Sequence, residues 1–173
     1  VVVRKGGEND LVKRASLLRR DSVHGRFIGT IRVDLENDLL VVNGNPVKFI
    51  YASGPSEVNY EKLGINKPIV VDNTGIWRDE TDLSQHLKSG ASKVILTAPA
   101  KGDIRNIVFG VNDNSLTDAD NIISAASCTT NAIVPVLKIL SDQYGIQNGP
   151  IETVHSYTND QNLIDNFHSG DRR

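Results

Sequence analysis

Short apolar, β-branched runs separated by stretches of helical periodicity constrain this chain most, because a run apolar on both faces belongs inside a sheet covered by helices. Residues 1–3, all valine, open the series. A turn through Arg4-Lys5-Gly6-Gly7-Glu8-Asn9 then leads to Asp10, in N-cap position before Leu11, Val12, Ala15, Leu17 and Leu18 at helical spacing. Residues 69–71 form a second run ending in Asp72-Asn73-Thr74-Gly75, the segment 79–89 reads as a helix stopped by Gly90, and 94–96 is the next strand. Residues 107–111, 122–124 and 151–155 read as further strands, and 129–144 as a helix with Ile133, Val136, Leu137 and Leu140 on one face. Segments 28–33, 39–42 and 47–51 around the Asn43-Gly44 turn have the pattern of an antiparallel insertion. The fold class expected is therefore α/β, a doubly wound parallel sheet carrying that insertion.

Composition narrows the function without naming it. The chain has 173 residues, 39% hydrophobic and 23% charged, which suits a soluble enzyme domain with a sizeable core. Its formal net charge of −2 and scattered Lys and Arg, apart from the pairs Arg19-Arg20 and Arg172-Arg173, give no dedicated nucleic-acid site. No apolar run reaches the roughly 18 residues of a membrane span, so no membrane partner and a cytoplasmic location are expected. A metal site is not expected either. Both ends read as cuts, since the chain opens directly on a strand and stops on two arginines with no cap or tail.

One cysteine cannot form an internal disulfide, so Cys128 is a buried small hydrophobe, an intermolecular link or a reactive thiol. Ser127-Cys128-Thr129-Thr130-Asn131 follows an apolar strand and opens a helix, where N–H groups and the positive dipole end lower a thiol's pKa. His155 stands at the end of the run 151–155, so a strand can present an imidazole to the thiol, the arrangement of an activated nucleophile. Without Cys128, His155 reads as structural. Ser127, Thr129 and Thr158 add hydroxyls, and Arg172-Arg173 adds charge, so an anion such as phosphate can be held nearby; singly, each is a cap or a surface group.

The segment 127–131 resembles the active-site signature of the glyceraldehyde-3-phosphate dehydrogenases, and His155-Ser156-Tyr157-Thr158-Asn159-Asp160-Gln161 resembles their histidine segment. Asp21-Ser22-Val23-His24-Gly25, Asn43-Gly44-Asn45-Pro46, Asp72-Asn73-Thr74-Gly75, Thr97-Ala98-Pro99 and Tyr144-Gly145-Ile146 match the same family in the same order. The resemblance implies a phosphorylating dehydrogenase of bacterial type, with a partial Rossmann-type sheet over residues 1–127 and the start of an α+β catalytic domain over 128–173. By position, Cys128 is the nucleophile and His155 its acid–base partner. Ser127 and Thr129 contact the attacking phosphate or substrate, Thr158 and Arg173 bind phosphate groups, and Thr74, Gly75 and Thr97 line the dinucleotide. The implied partners are triose phosphate and inorganic phosphate, the implied cofactor is NAD or NADP, and the full-length protein is a homotetramer.

Several departures limit what carries over. The family's Gly-rich phosphate turn is absent, as is most of the catalytic domain beyond Arg173, so the isolated chain is expected to be inactive. Where the family places an acid for the ribose hydroxyl, the turn reads Arg4-Lys5-Gly6, two basic side chains suited to the 2′-phosphate of NADP or to a solvated turn. The loop Ala52-Ser53-Gly54-Pro55 lacks an arginine common near the adenine, and Asp160 stands where many members have threonine. Rival readings are an erythrose-4-phosphate dehydrogenase and a non-catalytic binding form.

Overall fold

The computed structural model describes residues 1–4 and 6–158, which fall into two compact units, 1–54 with the residues from Val154 onward, and 55–153. In the first unit, β1 (Val2–Val3) pairs parallel with β7 (Ile50–Tyr51), and α1 (Asp10–Arg19) follows β1. β2 (Arg20–Asp21) and β3 (Gly25–Arg26) form a short antiparallel ribbon. The insertion is a three-stranded antiparallel sheet of β4 (Ile31–Asp34), β5 (Leu39–Val42) and β6 (Asn45–Lys48). Leu11 and Ala15, one turn apart on α1, meet Leu40 and Phe49 in its core.

The β5–β6 hairpin follows from its turn chemistry. Val42 pairs with Asn45 across a two-residue loop in which Asn43 has φ 50° and Gly44 φ 84°, the doubly left-handed turn that matches the twist of paired strands. Asn43 also accepts the Thr30 N–H through Oδ1, at 2.9 Å, tying the turn to the start of β4. Gly44→Val puts a β-branched side chain at a left-handed position and is expected to cost about 1–2 kcal/mol. Urea unfolding checks this; an unchanged midpoint would refute the assignment of the turn.

The second unit is built on a parallel sheet in the order β10-β9-β8, from β8 (Ile69–Asp72), β9 (Lys93–Leu96) and β10 (Ile122–Ser124). Helix α2 (Glu80–Lys88) connects β8 to β9. Asp79 caps it by accepting the Asp82 N–H, and Gly90, with φ 105°, follows the C-cap Ser89. Leu83 and Leu87 from α2 pack with Val94, Leu96, Ile104 and Ile122. Helix α3 (Cys128–Tyr144) follows β10 after a short turn and ends at Gly145.

Four expectations from the sequence need correction. Asp10 is the first helical residue of α1, not its cap; Asn9, with φ 57°, occupies that position. The Asp10 carboxylate instead accepts the Gly6 N–H and pairs with Arg14. Residues 107–111 form no strand: Ile107 and Val108 are buried, but the Asn112 amide accepts the Val108 N–H and donates to the Asn106 carbonyl, turning the chain after one bridge from Asn106 to Ser124. Residues 151–155 also form no strand; the exposed chain from 146 to 158 has no regular hydrogen-bonded structure. Finally, the apolar face read on 129–144 covers no core among the described residues, since Val136 and Leu140 remain exposed.

Candidate active site

β8, β9 and β10 end level with one another, with Asp72 and Ser124 both in register with Leu96. Each strand leads at once into residues marked out by sequence: Thr74 and Gly75 after β8, Thr97 after β9, and Ser127, Cys128 and Thr129 after β10. The structure brings these six residues to the carboxyl edge of one parallel sheet, where open α/β folds take their ligands.

The β8 edge is organised from below by Asp72, which is 4% exposed. Its Oδ1 accepts both the Thr74 N–H, at 2.8 Å, and the Thr74 hydroxyl, at 2.7 Å, while Oδ2 lies 3.1 Å from Nε2 of the buried His86 on α2. Burial alone pushes the Asp72 carboxyl up, but the hydrogen bonds from His86 and Thr74 outweigh it and hold the group below its ordinary range. Facing an ionised carboxylate, Nε2 carries the imidazole hydrogen. Nδ1 is buried with no partner among the described residues, and Trp77 meets the ring edge-on. The Asp72 carbonyl also accepts the Thr97 N–H at 3.0 Å, and the Thr97 hydroxyl lies 2.8 Å from Asn73 Oδ1, so the two loops are joined. A Cβ added at Gly75 would meet nothing within 4 Å. This open edge with exposed Thr97 fits a dinucleotide.

Cys128 is exposed and is the first residue of α3. Ser127 is the N-cap, its hydroxyl oxygen accepting the Thr130 N–H at 2.9 Å and lying 2.7 Å from the Thr130 hydroxyl. Thr129 is half-buried beside it. Between strand and helix, Ala126 is held at φ 61°, a left-handed conformation costing a non-glycine residue about 1–2 kcal/mol.

Of the other marked residues, Arg4, His155 and Thr158 belong to the first unit. Arg4 is exposed after β1, and its carbonyl accepts from Arg14 at 2.8 Å; Lys5 lies outside the described residues. His155 belongs to the first unit and Cys128 to the second. His155 is exposed in irregular chain, with Nδ1 2.6 Å from the Ser156 carbonyl, and Thr158 is exposed nearby. Arg173 lies outside the described residues.

Sequence reasoning gave no role to Asp72, His86, Ser124 or Asn131, although Asp72 and Asn131 stand in segments that it marked. Asp72 had a local signal, since Asp-x-Thr after a strand is the pattern of a side chain closing its own turn. His86 and Ser124 had none, because their partners are distant in the chain.

Residues 1–80 match the family model described as glyceraldehyde 3-phosphate dehydrogenase, NAD binding domain, and residues 127–173 match the C-terminal domain of the same enzyme. A Pseudomonas aeruginosa protein named glyceraldehyde-3-phosphate dehydrogenase-like protein is 64% identical, over 100% of this chain and 38% of its own length. Glyceraldehyde-3-phosphate dehydrogenase of Thermotoga maritima is 43% identical over 92% of this chain and 46% of its own length. Glyceraldehyde-3-phosphate dehydrogenase 1 of Bacillus subtilis is 43% identical over 92% of this chain and 47% of its own. The chain thus spans less than half the length of each of these relatives. With the enzyme's two domains matched at its two ends and its name carried by relatives aligned along nearly all of it, the chain belongs to the glyceraldehyde-3-phosphate dehydrogenase family.

Proposed function

We propose that the protein oxidises D-glyceraldehyde 3-phosphate with inorganic phosphate to 1,3-bisphosphoglycerate, using Cys128 as nucleophile and NAD or NADP as hydride acceptor. The observation that carries this is the level edge of β8, β9 and β10, from which Thr74, Gly75, Thr97 and Cys128 all emerge. In this reading residues 1–127 form the dinucleotide-binding domain and the catalytic domain begins at 128, a division supported by family matches over 1–80 and 127–173.

The chain's residues then act in sequence. The Cys128 thiolate attacks the aldehyde carbon, and the oxygen takes a proton from His155, giving a thiohemiacetal. His155 removes that proton again as hydride leaves the carbon, so the carbonyl re-forms as a thioester. When bound, the oxidised nicotinamide accepts the hydride. Inorganic phosphate, held by Ser127 and Thr129, attacks the thioester carbon; the carbon–sulfur bond breaks and Cys128 leaves as thiolate. Thr158 and Arg173 hold the phosphate of the substrate, and Thr74, Gly75 and Thr97 line the dinucleotide. The setting proposed is a cytosolic homotetramer at full length. Among the described residues no helix is long and apolar enough to cross a membrane. The erythrose-4-phosphate reading draws no support from the three relatives' names.

The chain covers less than half of the length of each of these relatives, so the chain alone is expected to produce no reduced nicotinamide. Joined to the segments the relatives carry beyond it, it is expected to do so only with triose phosphate and phosphate both present. Absence of that dependence would defeat the reading. Arg4 and Lys5 favour acceptance of NADP beside NAD; a preference for NAD above about a thousandfold in kcat/KM, roughly 4 kcal/mol, would overturn this part.

A further inference from the structure

The turn between β10 and α3 holds Cys128 by means that the chemistry above does not use. Ser124, the last residue of β10, is 0% exposed and makes hydrogen bonds with every polar atom it has. Its N–H donates to the Arg105 carbonyl at 2.9 Å, and its carbonyl accepts the Ile107 N–H at 2.8 Å. Its hydroxyl oxygen accepts the Ala126 N–H at 3.0 Å and has two acceptors for its hydrogen, the Ala98 carbonyl and Asn106 Oδ1, each at 2.8 Å. One buried hydroxyl therefore links the loop after β9, the segment bridging to β10, and the turn that carries the nucleophile.

Ala126 needs such a link. It is itself buried at 5% exposure and holds φ 61° without the freedom of glycine, so its conformation persists only where neighbours enforce it. From the other side, the Asn131 amide donates to the Ala125 carbonyl at 2.7 Å and to the Ser127 carbonyl at 2.9 Å, closing the turn over Ala126. Release of Ala126 toward an ordinary right-handed or extended backbone would re-aim Ser127 and Cys128 together.

We propose that Ser124 is a positioning residue for the nucleophile: its buried hydroxyl holds Ala126 in the left-handed conformation that fixes Cys128 at the start of α3, with Asn131 as the second clamp. This rests on Cys128 being the reactive thiol, and it adds a coupling. Because the same hydroxyl reaches Ala98, directly after Thr97, the loop proposed to line the dinucleotide and the turn presenting the thiol are held by one atom.

The test is the second-order rate of iodoacetamide alkylation of the 173-residue chain at neutral pH, where Cys128 is the single thiol and Cys128→Ser supplies the blank. Ser124→Ala is expected to slow alkylation about tenfold as the thiol leaves the helix N-terminus. Ser124→Ala with Ala126→Gly is expected to recover most of the rate, because glycine holds φ > 0 without enforcement. A purely structural defect would be worsened by the added glycine. A Ser124→Ala rate within twofold of wild type, or a loss that glycine leaves unrepaired, overturns the proposal. If circular dichroism shows Ser124→Ala unfolded, Asn131→Ala decides: a loss of about threefold or more supports the clamp, and an unchanged rate overturns it. Alkylation needs neither dinucleotide nor triose phosphate, so this outcome is independent of whether dehydrogenase activity is found.

Discussion

Cys128→Ser is expected to lower the oxidation of glyceraldehyde 3-phosphate by the protein joined to its relatives' remaining length by about 10⁴-fold or more, with dinucleotide affinity nearly unchanged. The split follows from where the atoms act. A serine hydroxyl at this position is a poorer nucleophile at neutral pH than a thiol, and an oxygen ester would not serve as the activated thioester that phosphate must cleave. Thr74, Gly75 and Thr97, the residues proposed to line the dinucleotide, emerge from β8 and β9 and not from the turn that carries Cys128, while the fold of the helix start is preserved because Ser127 remains the N-cap. Steady-state formation of reduced nicotinamide and a separate titration of dinucleotide binding would be measured on the same preparation. A variant keeping a tenth of wild-type turnover would mean that the nucleophile is another group, and a parallel loss of dinucleotide affinity would mean that the substitution disturbed the sheet edge instead.

Local codes were legible in the sequence and non-local ones were not. The Asn43-Gly44 hairpin and the Gly90 stop each depend on side chains and backbone within a few residues, and each stands where it was read. The parallel strands β8, β9 and β10 were legible because they are apolar runs flanked by turn residues. Residues 107–111 carry the same signal, yet the amide of Asn112 satisfies the polar groups that a neighbouring strand would otherwise take. Residues 151–155 read as a strand but take part in no strand pairing among the described residues. For the site, the pentapeptide around Cys128 marked a strand-to-helix junction, and the exposed thiol stands there as the first residue of α3. The supports beneath it were illegible, because Ser124 meets Ala98 and Asn106, and Asp72 meets His86, across separations of 14 to 26 residues that no local pattern encodes.

The Asp72–His86 pair supplies the second large effect, on stability. Asp72→Ala removes the acceptor for three hydrogen bonds at once, leaving the buried His86 Nε2–H, the Thr74 N–H and the Thr74 hydroxyl without it. Deleting one partner of a buried pair in this way is expected to cost about 3 kcal/mol, whereas Asp72→Asn, which keeps an acceptor for Thr74, loses less. The pH dependence has a definite sign. The folded Asp72 carboxyl lies below its unfolded range, so the unfolded chain binds the proton more readily and the stabilisation from the ionised group is present above about pH 4. It is lost as the pH falls from there through the folded value, and the gap between wild type and Asp72→Ala should narrow over the same interval. Urea unfolding of both proteins at pH 7 and at successively lower pH reads this directly. A gap below about 0.5 kcal/mol at neutral pH would show that the pair contributes little to the fold. One that widens on acidification would show that Asp72 enters the folded state protonated and donates to His86, reversing the roles assigned here and leaving one fewer acceptor for the turn at Thr74.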